Sequence, residues 1–278
     1  MVSRFAIPTL ATLVVLTAVP VARAADMPLP PPIPEVSGWY LRGDIGFSNQ
    51  YVGSLFNVNY AGFNSVTNIN KGFDAAPLFG LGIGYTVNNW LRFDVTGEYR
   101  GAANFHGYDI GTAGGVIFPD LYNGNKSEWT FLFNGYVDLG TWYNITPFVG
   151  AGIGTSRNTI SNFTDISACV GGCGNPGANA FGGTASQWNF AWALHAGLAY
   201  RVSPNFTVEL AYRYIDLGNA KSGDLIGFDG TNSGYNPMEF HHLTSNDVRL
   251  GLRFNLDSLY DSLRPVQYYP PPPLRSKG

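Results

Sequence analysis

The sequence is poor in charge, in lysine and in long hydrophobic runs. Only 13% of its 278 residues are charged, whereas soluble globular domains carry about 25%. The four lysines are Lys71, Lys126, Lys221 and Lys277, and the formal net charge is −3. This balance excludes the basic surface of a nucleic-acid-binding protein. After residue 22 no apolar run reaches the length of a membrane helix, about 20 residues, which excludes a helical inner-membrane protein.

The composition is instead rich in glycine and aromatic residues. The chain has 35 glycines, 19 phenylalanines, 16 tyrosines and 6 tryptophans, and its mean hydropathy is −0.01. A disordered chain would not carry so many aromatic side chains. The apolar residues are therefore distributed in some way other than continuous runs.

The first residues predict export from the cytoplasm. Arg4 precedes an apolar stretch at residues 5–21, and Ala22-Arg23-Ala24 fits the small-x-small rule of a cleavage site. We expect residues 1–24 to be a signal peptide and Ala25 to begin the mature chain. A membrane anchor is the alternative, but the apolar stretch is short for one and a cleavage site follows it.

Apolar and polar residues alternate with period two along eight segments. In residues 39–47 the apolar side chains have odd numbers, whereas the charged Arg42 and Asp44 have even numbers. Successive side chains of a strand point to opposite sides, so this pattern predicts two-faced strands. No amphipathic helix is predicted between them. The predicted strands span residues 38–47, 75–87, 90–100, 126–139, 146–157, 187–202, 205–216 and 244–256.

The connections between these strands alternate between long and short. The long ones hold about 25 to 30 residues rich in Gly, Asn and Ser; the short ones are Asn88-Asn89, residues 140–145 and Ser203-Pro204. Outer-membrane barrels have short periplasmic turns, long external loops and an even number of strands. The sequence thus predicts an all-β fold over residues 38–256, an eight-stranded, antiparallel, up-and-down transmembrane β-barrel. Its four long loops would be extracellular and both termini periplasmic, in a Gram-negative bacterium.

The tryptophans agree with a membrane barrel, because aromatic girdles mark both lipid interfaces of such proteins. Three are predicted at the short-turn end and three at or near the long-loop end. They are Trp39, Trp90 and Trp142, and Trp129, Trp188 and Trp192.

The polar faces of the strands carry arginine and carboxylates, and no lysine lies well inside a predicted strand. Arginine forks paired with carboxylates suit a confined interior in which each charge needs a partner. A soluble lipocalin-type barrel is the alternative, but its water-facing strands would carry scattered lysine and glutamate. We expect a structural charge network in the lumen, formed by Arg42, Asp44, Arg92, Asp94, Glu98, Arg100, Glu128, Asp138, His195, Arg201, Glu209, Arg213, Asp247, Arg249 and Arg253.

The strand number also bears on transport. The interior of an eight-stranded barrel is just wide enough for side chains to fill it. We therefore expect the lumen residues to leave no open diffusion pore, or at most a narrow one of low conductance.

Two proline-rich segments flank the predicted barrel. Residues 25–37 include Pro-Leu-Pro-Pro-Pro-Ile-Pro, and residues 257–278 include Tyr-Tyr-Pro-Pro-Pro-Pro. Such runs favour extended polyproline II and do not pair in a sheet. We expect periplasmic tails that act either as tethers or, through Tyr268 and Tyr269, as a docking segment for a periplasmic partner.

The two cysteines lie close together as Cys169 and Cys173. In an oxidising compartment this spacing predicts a local disulfide, with free thiols as the alternative. A metal site would need further ligands, and no histidine or additional cysteine lies within 20 residues.

The opening Gly38-Trp39-Tyr40-Leu41-Arg42-Gly43-Asp44-Ile45-Gly46 and the closing segment 247–254 resemble small alphaproteobacterial outer-membrane proteins. These are surface antigens and haemin-binding proteins of the "porin family", or outer-membrane β-barrel domain class. The resemblance covers roughly residues 20–256 and implies fold and location more than activity. In that family an aromatic residue at the chain end resembles a signal for the barrel-assembly machinery. Here Phe254 and Leu256 hold those positions and 22 residues follow, so assembly would read the signal internally.

The resemblance leaves several functions open. We expect a monomer in contact with lipid and lipopolysaccharide, with a role in envelope integrity, as a surface antigen or as an adhesin, and an extracellular ligand that would bind its loops. Haemin binding is an alternative, with His106, His241 and His242 as weak ligand candidates. A lipid A-modifying enzyme is a further alternative, but no spacing ties these histidines into a nucleophile–base set. We therefore expect no catalytic residue, no cofactor and no metal site.

Overall fold

Alternating side chains make long strands in this protein, and eight of these strands close into a ring. The computed structural model describes residues 38–171, 178–232 and 234–256. No helix in this part of the chain is long and apolar enough to span a membrane. A single 3₁₀ helix spans Val58–Gly62. The strands are β1 (Gly38–Phe56), β2 (Ser65–Phe73), β3 (Ala76–Thr86), β4 (Leu91–Ala113), β5 (Val116–Asp138), β6 (Ile145–Ser167), β7 (Asn179–Gly182), β8 (Ala185–Arg201), β9 (Phe206–Lys221), β10 (Leu225–Gly227) and β11 (Glu239–Asn255).

The ring follows chain order. β1, β3, β4, β5, β6, β8, β9 and β11 each pair antiparallel with the next, and β11 returns to pair with β1 from Tyr40↔Asn255 to Phe56↔Glu239. Three shorter strands lie outside this ring: β2 pairs with β4, β7 pairs with β6, and β10 pairs with β7. The structure confirms the predicted eight-stranded, antiparallel, all-β fold.

The long connections differ from the prediction. β4, β5 and β6 each have 23 residues, whereas about 9–11 suffice to cross a bilayer. The predicted loop between residues 100 and 126 is instead a continuous hairpin, closed by Gly114 (φ 58°) and Gly115 (φ 82°). Its Gly- and Asn-rich composition is typical of loops, but ladder pairing with the neighbouring strands keeps it extended.

These lengths define two ends of the barrel. At the turn end, short connections join β3 to β4, β5 to β6, and β8 to β9. At the opposite loop end, the long strands and β2, β7 and β10 form what we call the loop-end extension. The strand lengths place its tip roughly 30 Å beyond the part needed to cross a bilayer.

The outer face of the ring is an apolar band. Large hydrophobic side chains such as Phe47, Leu81 and Phe190 point outward and are 65–75% exposed. All six predicted girdle tryptophans are exposed as well. Arg157 is an exception on this face: it is exposed and lies opposite Trp129 on one side and Trp188 on the other. A cation therefore lies within the loop-end aromatic girdle.

Candidate functional site

The lumen holds a dense network of ion pairs. Among the described residues, seven cationic and seven anionic side chains take part, and we divide them into two clusters. The loop-end cluster contains Glu98, Arg100, Lys126, Glu128, Arg213, Asp247 and Arg249. The turn-end cluster contains Arg42, Asp44, Arg92, Asp94, Asp138, Glu209 and Arg253.

Glu98 lies at the centre of the loop-end cluster. Arg213 donates to both of its oxygens, at 2.8 and 2.6 Å, and Arg249 donates to Oε1 at 2.7 Å. Asp247 accepts from Arg213 and from Arg100, and Arg100 also donates to Glu128. Each of these side chains is almost fully buried. Such charges are stable only in mutual pairs, because an uncompensated buried charge is strongly unfavourable.

The turn-end cluster is joined by Arg42 and Glu209. Arg42 donates to Asp44 at 2.8 and 2.9 Å and to Asp94 at 2.7 Å. Glu209 lies 3.3 Å from Arg92 and 3.2 Å from Arg253. The guanidinium of Arg92 also stacks on aromatic rings, 4.2 Å from the centre of Tyr136 and 4.7 Å from that of Phe148. Cation–π contacts thus add to the ion pairs at this end.

Inward-facing glycines make room for this network. A Cβ at Gly80 would lie 2.8 Å from Cγ of Glu98, and one at Gly84 would lie 2.2 Å from Cζ of Tyr40. On β6, a Cβ at Gly152 would lie 2.1 Å from Oδ1 of Asn134. The weak alternation in the two glycine-rich predicted strands therefore has a steric reason, since large neighbours occupy the space beside these glycines.

Arg201 and Lys126 depart from the predicted network. Arg201 is exposed because β8 ends there, and it takes part in none of the ion pairs found in the described part of the chain. Lys126 is fully buried and donates to Gln50 at 2.7 Å and to Glu128. The expectation that no lysine lies well inside a strand is wrong, because β5 begins at Val116 rather than at residue 126.

His195 is buried in the lumen and contacts an amide rather than a carboxylate. Its Nε2 lies 3.2 Å from Oδ1 of Asn134, and its ring centre lies 5.3 Å from that of Tyr136. Asn134 in turn donates to Asp94 at 2.8 Å. His195 therefore reaches the carboxylates of the network through Asn134.

An aromatic cluster lies on the loop-end side of the charges. It consists of Phe73, Phe105, Phe163 and Phe240, from four different strands, and the centres of its contacting rings are 4.9 to 6.4 Å apart. All four side chains are buried. All four residues lie in predicted loops, where period two was not sought, so the sequence did not point to this cluster.

A cavity of about 260 Å³ lies in the loop-end extension, in a region that the sequence analysis also placed in loops. Its walls include Tyr60 and Tyr122, the carboxylates of Asp120 and Asp165, and the side chain of Leu225. Asp109 lies behind this wall: its Oδ2 accepts from Tyr60 at 2.6 Å and from Tyr122 at 3.1 Å.

The three carboxylates of this region are held in an environment that disfavours their charge. Burial, together with the nearby carboxylates of Asp120 and Asp109, raises the pKa of Asp165 to about 8. Burial also raises the pKa of Asp120 to about 6 and raises that of Asp109. Oδ1 of Asp109 and Oδ1 of Asp165 are buried without a hydrogen-bond partner among the described residues.

The histidines considered for haemin lie in different surroundings. His106, on β4, is exposed and contacts Asn123 and Asp74. His241, on β11, lies 3.2 Å from Glu239, and the neighbouring His242 has a φ of 55°. In the described part of the chain, no group of three or more His, Cys, Asp or Glu residues could hold a metal ion.

The remaining predictions fall partly outside the described residues. Cys169 is disulfide-bonded, whereas Cys173 lies outside the residues that the structure describes. The predicted signal peptide (1–24) and the proline-rich segments 25–37 and 257–278 also lie outside them, so they stay predictions.

A family model, several relatives and several solved structures are similar to this chain. A family model described as "Outer membrane protein beta-barrel domain" matches residues 11–254. A Brucella abortus (strain 2308) protein of uncharacterized function is 30% identical over 276 residues, covering 86% of this chain and 94% of the relative. A Rickettsia rickettsii (strain Sheila Smith) protein, named as a candidate adhesin, is 26% identical over 223 residues, covering 78% and 88%. Outer membrane protein OprG from Pseudomonas aeruginosa has a TM-score of 0.46 and 12% identity, covering 80% and 98%.

Proposed function

Because this chain belongs to the outer membrane protein beta-barrel domain family, we propose that it is a structural and surface-interaction protein of the Gram-negative outer membrane. In this proposal the loop-end extension faces outside the cell. Residues 40 and 255 pair at the turn end, so both ends of the barrel domain would lie on the periplasmic side.

The observation that carries the proposal is the set of exposed apolar side chains on the loop-end extension. Phe228 is 82% exposed, Tyr235 65% and Phe181 47%, and the rings of Phe181 and Phe228 lie 6.4 Å apart. These residues lie beyond the apolar band, where lipid would not cover them. Exposed apolar patches of this kind are typical of protein–protein interaction sites. The adhesin-type name of the Rickettsia relative agrees with such a role.

The test is adhesion of a non-adherent Gram-negative strain that displays the chain. We expect the wild type to increase attachment to cultured epithelial cells, and the triple variant Phe181→Ser/Phe228→Ser/Tyr235→Ser to lose that increase at equal surface level. A matched variant in the apolar band, Phe190→Leu, should keep it. Equal attachment by the wild type, the triple variant and the empty strain would reject the adhesive role.

We also propose that the filled lumen serves stability rather than transport. The two charge clusters and the four-phenylalanine cluster lie in succession along the barrel axis, and their side chains are largely buried. This succession supports the expectation that no open diffusion path crosses the barrel.

Lipopolysaccharide is a proposed partner of this protein, and Arg157 is the residue that supports this proposal. Arg157 pairs in register with Trp129 on one side and with Trp188 on the other, at the loop-end girdle. We infer that its guanidinium reaches phosphate groups of the outer leaflet there, since guanidinium is suited to phosphate. We expect Arg157→Ala to lower the melting temperature in vesicles with lipopolysaccharide more than in phospholipid vesicles. Arg201→Ala, at the turn end, should show no such difference, and an equal response of both variants would contradict the contact.

A further inference from the structure

The cavity of the loop-end extension combines acidic side chains, aromatic surface and small size. The carboxylates of Asp120 and Asp165 line it, and none of its described lining residues is lysine, arginine or histidine. Its volume of about 260 Å³ is below the 300–1,000 Å³ of pockets for drug-sized ligands. The cavity therefore suits a small ligand of positive charge.

One carboxylate of the cavity lining lacks a hydrogen-bond partner. Oδ1 of Asp165 has no hydrogen-bond donor among the described residues. Buried polar atoms are normally hydrogen-bonded, so each unpaired oxygen needs an explanation. A ligand that donates hydrogen bonds to the acidic wall would supply one.

The form of the wall favours an organic cation over a metal ion. No group of three or more acidic, cysteine or histidine side chains in the described residues has the geometry to hold a metal. The cavity is instead bordered by the rings of Tyr60, Phe63 and Tyr122 and by the aliphatic side chain of Leu225. Aromatic faces attract ammonium groups, and an apolar wall accommodates methylene groups.

We propose that this cavity binds a small organic polycation of the aliphatic diamine class, with one ammonium group on Asp165 and the other on Asp120. Tyr60 and Tyr122 donate to Asp109 and so position the acidic wall. The site is distinct from the apolar side chains proposed for adhesion: Phe181, Phe228 and Tyr235 do not line the cavity, whereas their chain neighbours Ala180, Gly227 and Asn236 do.

The proposal implies a pH dependence with a defined sign. The pKa of Asp120, about 6, and that of Asp165, about 8, mean that both carboxyls gain charge as the pH rises through these values. The remaining groups that face them are Asp109, Tyr60 and Tyr122, and the tyrosine pKa values are raised by burial. An aliphatic diamine keeps its charge in this range, because alkylammonium groups titrate near pH 10. Its affinity therefore rises between pH 5.5 and 8.5.

Calorimetric titration of the refolded full chain in detergent micelles with putrescine, at pH 8.5, tests the site. We expect a saturable isotherm, at least tenfold weaker binding by Asp165→Asn and by Asp120→Asn, and weaker binding of the wild type at pH 5.5. Asp74→Asn removes an exposed carboxylate of the loop end outside the cavity and should bind within twofold of the wild type.

Four outcomes would overturn the proposal. The first three are no binding by the wild type, equal binding by the cavity variants and Asp74→Asn, and an affinity that falls as the pH rises. The fourth is displacement of putrescine by equimolar Mg²⁺ or Ca²⁺, which would indicate a metal site. Circular dichroism of each variant, with the strand signal of the wild type, verifies that lost binding is not lost folding.

Discussion

Glu98 is one buried side chain that compensates the charges of several arginines in the lumen. It accepts from Arg213 and Arg249 and lies 3.8 Å from Arg100. The interior offers no bulk solvent to these arginines, because they are almost fully buried. Their charges are therefore compensated by ion pairs with Glu98, Asp247 and Glu128.

We expect Glu98→Gln to lower the free energy of unfolding by about 3–5 kcal/mol, because it leaves a buried arginine charge uncompensated. Guanidinium-induced unfolding in phospholipid vesicles, followed by tryptophan fluorescence, measures this change. The control is Glu239→Gln, which removes an exposed pair with His241 and should change stability by less than about 1 kcal/mol. Similar losses in the two variants would contradict the assigned role of Glu98.

Asp165 makes stability depend on pH in the direction opposite to a salt-bridged carboxyl. Its pKa is raised to about 8 in the folded protein, whereas an unfolded aspartate titrates near pH 4. The folded state therefore binds more protons between these values, and the contribution of Asp165 to stability is lost as the pH rises from about 4 to about 8.

Asparagine in place of Asp165 does not titrate and has nearly the same shape as aspartate. We expect Asp165→Asn to match the wild type near pH 4 and to exceed its stability by at least about 1 kcal/mol at pH 8.5. Melting curves across this pH range measure the difference, and Asp74→Asn serves as the control for the loss of an exposed carboxylate. A gap between Asp165→Asn and the wild type that closes as the pH rises would show the sign to be wrong.

At the scale of the elements, the β4–β5 hairpin depends on its turn. Gly114 and Gly115 both have positive φ, the conformation of a two-residue type I′ turn, whose twist matches that of the flanking strands. Residues with a Cβ are disfavoured there by roughly 1–2 kcal/mol, and asparagine less than others. This turn allows β4 and β5 to pair as far as Ala113↔Val116.

The matched pair of variants Gly114→Val and Gly114→Asn tests this dependence. A Cβ at Gly114 meets no atom within 4 Å, so any effect comes from the backbone conformation rather than from crowding. We expect valine to expose the hairpin to limited proteolysis several-fold faster than wild type, and asparagine to leave the rate nearly unchanged. Equal rates for valine and asparagine would show that the turn does not control the hairpin.

For the whole molecule, the main feature is the order of three layers of side chains along the lumen. From the turn end to the loop end, these are the turn-end cluster, in which Arg92 stacks on aromatic rings, the loop-end cluster and the four phenylalanines. Each layer draws side chains from several strands, so packing of these side chains and closure of the ring stabilise each other.

We therefore expect the purified chain to give no stable conductance step in a planar bilayer. The double variant Phe105→Ala/Phe240→Ala removes two rings of the aromatic cluster, but the charge clusters remain, so it should also stay silent. Heat-modifiable mobility on gels shows that both preparations contain folded barrels. A large, stable conductance of the wild-type chain would contradict the proposed closed lumen.

Several features of this protein are visible in the sequence. The alternation in segments such as 91–100 is a local property of a strand with one lipid-facing and one lumen-facing side. This alternation predicted the number of strands, their order in the ring and the outward direction of the tryptophans. The thirteen predicted lumen residues that form ion pairs all lie within the predicted strand spans, where parity alone identifies them.

Other features depend on which segments meet in space. The lengths of β4, β5 and β6, the burial of Lys126 and the exposure of Arg201 follow from where neighbouring strands continue or stop pairing. Asp120 and Asp165 share one cavity, with Asp109 behind its wall, because three strands extend side by side through the loop-end extension. The sequence alone determined which way each strand residue points, since that is set by a local period. Only the tertiary structure decided where strands end and which distant side chains share a cavity, because those depend on pairing across the sheet.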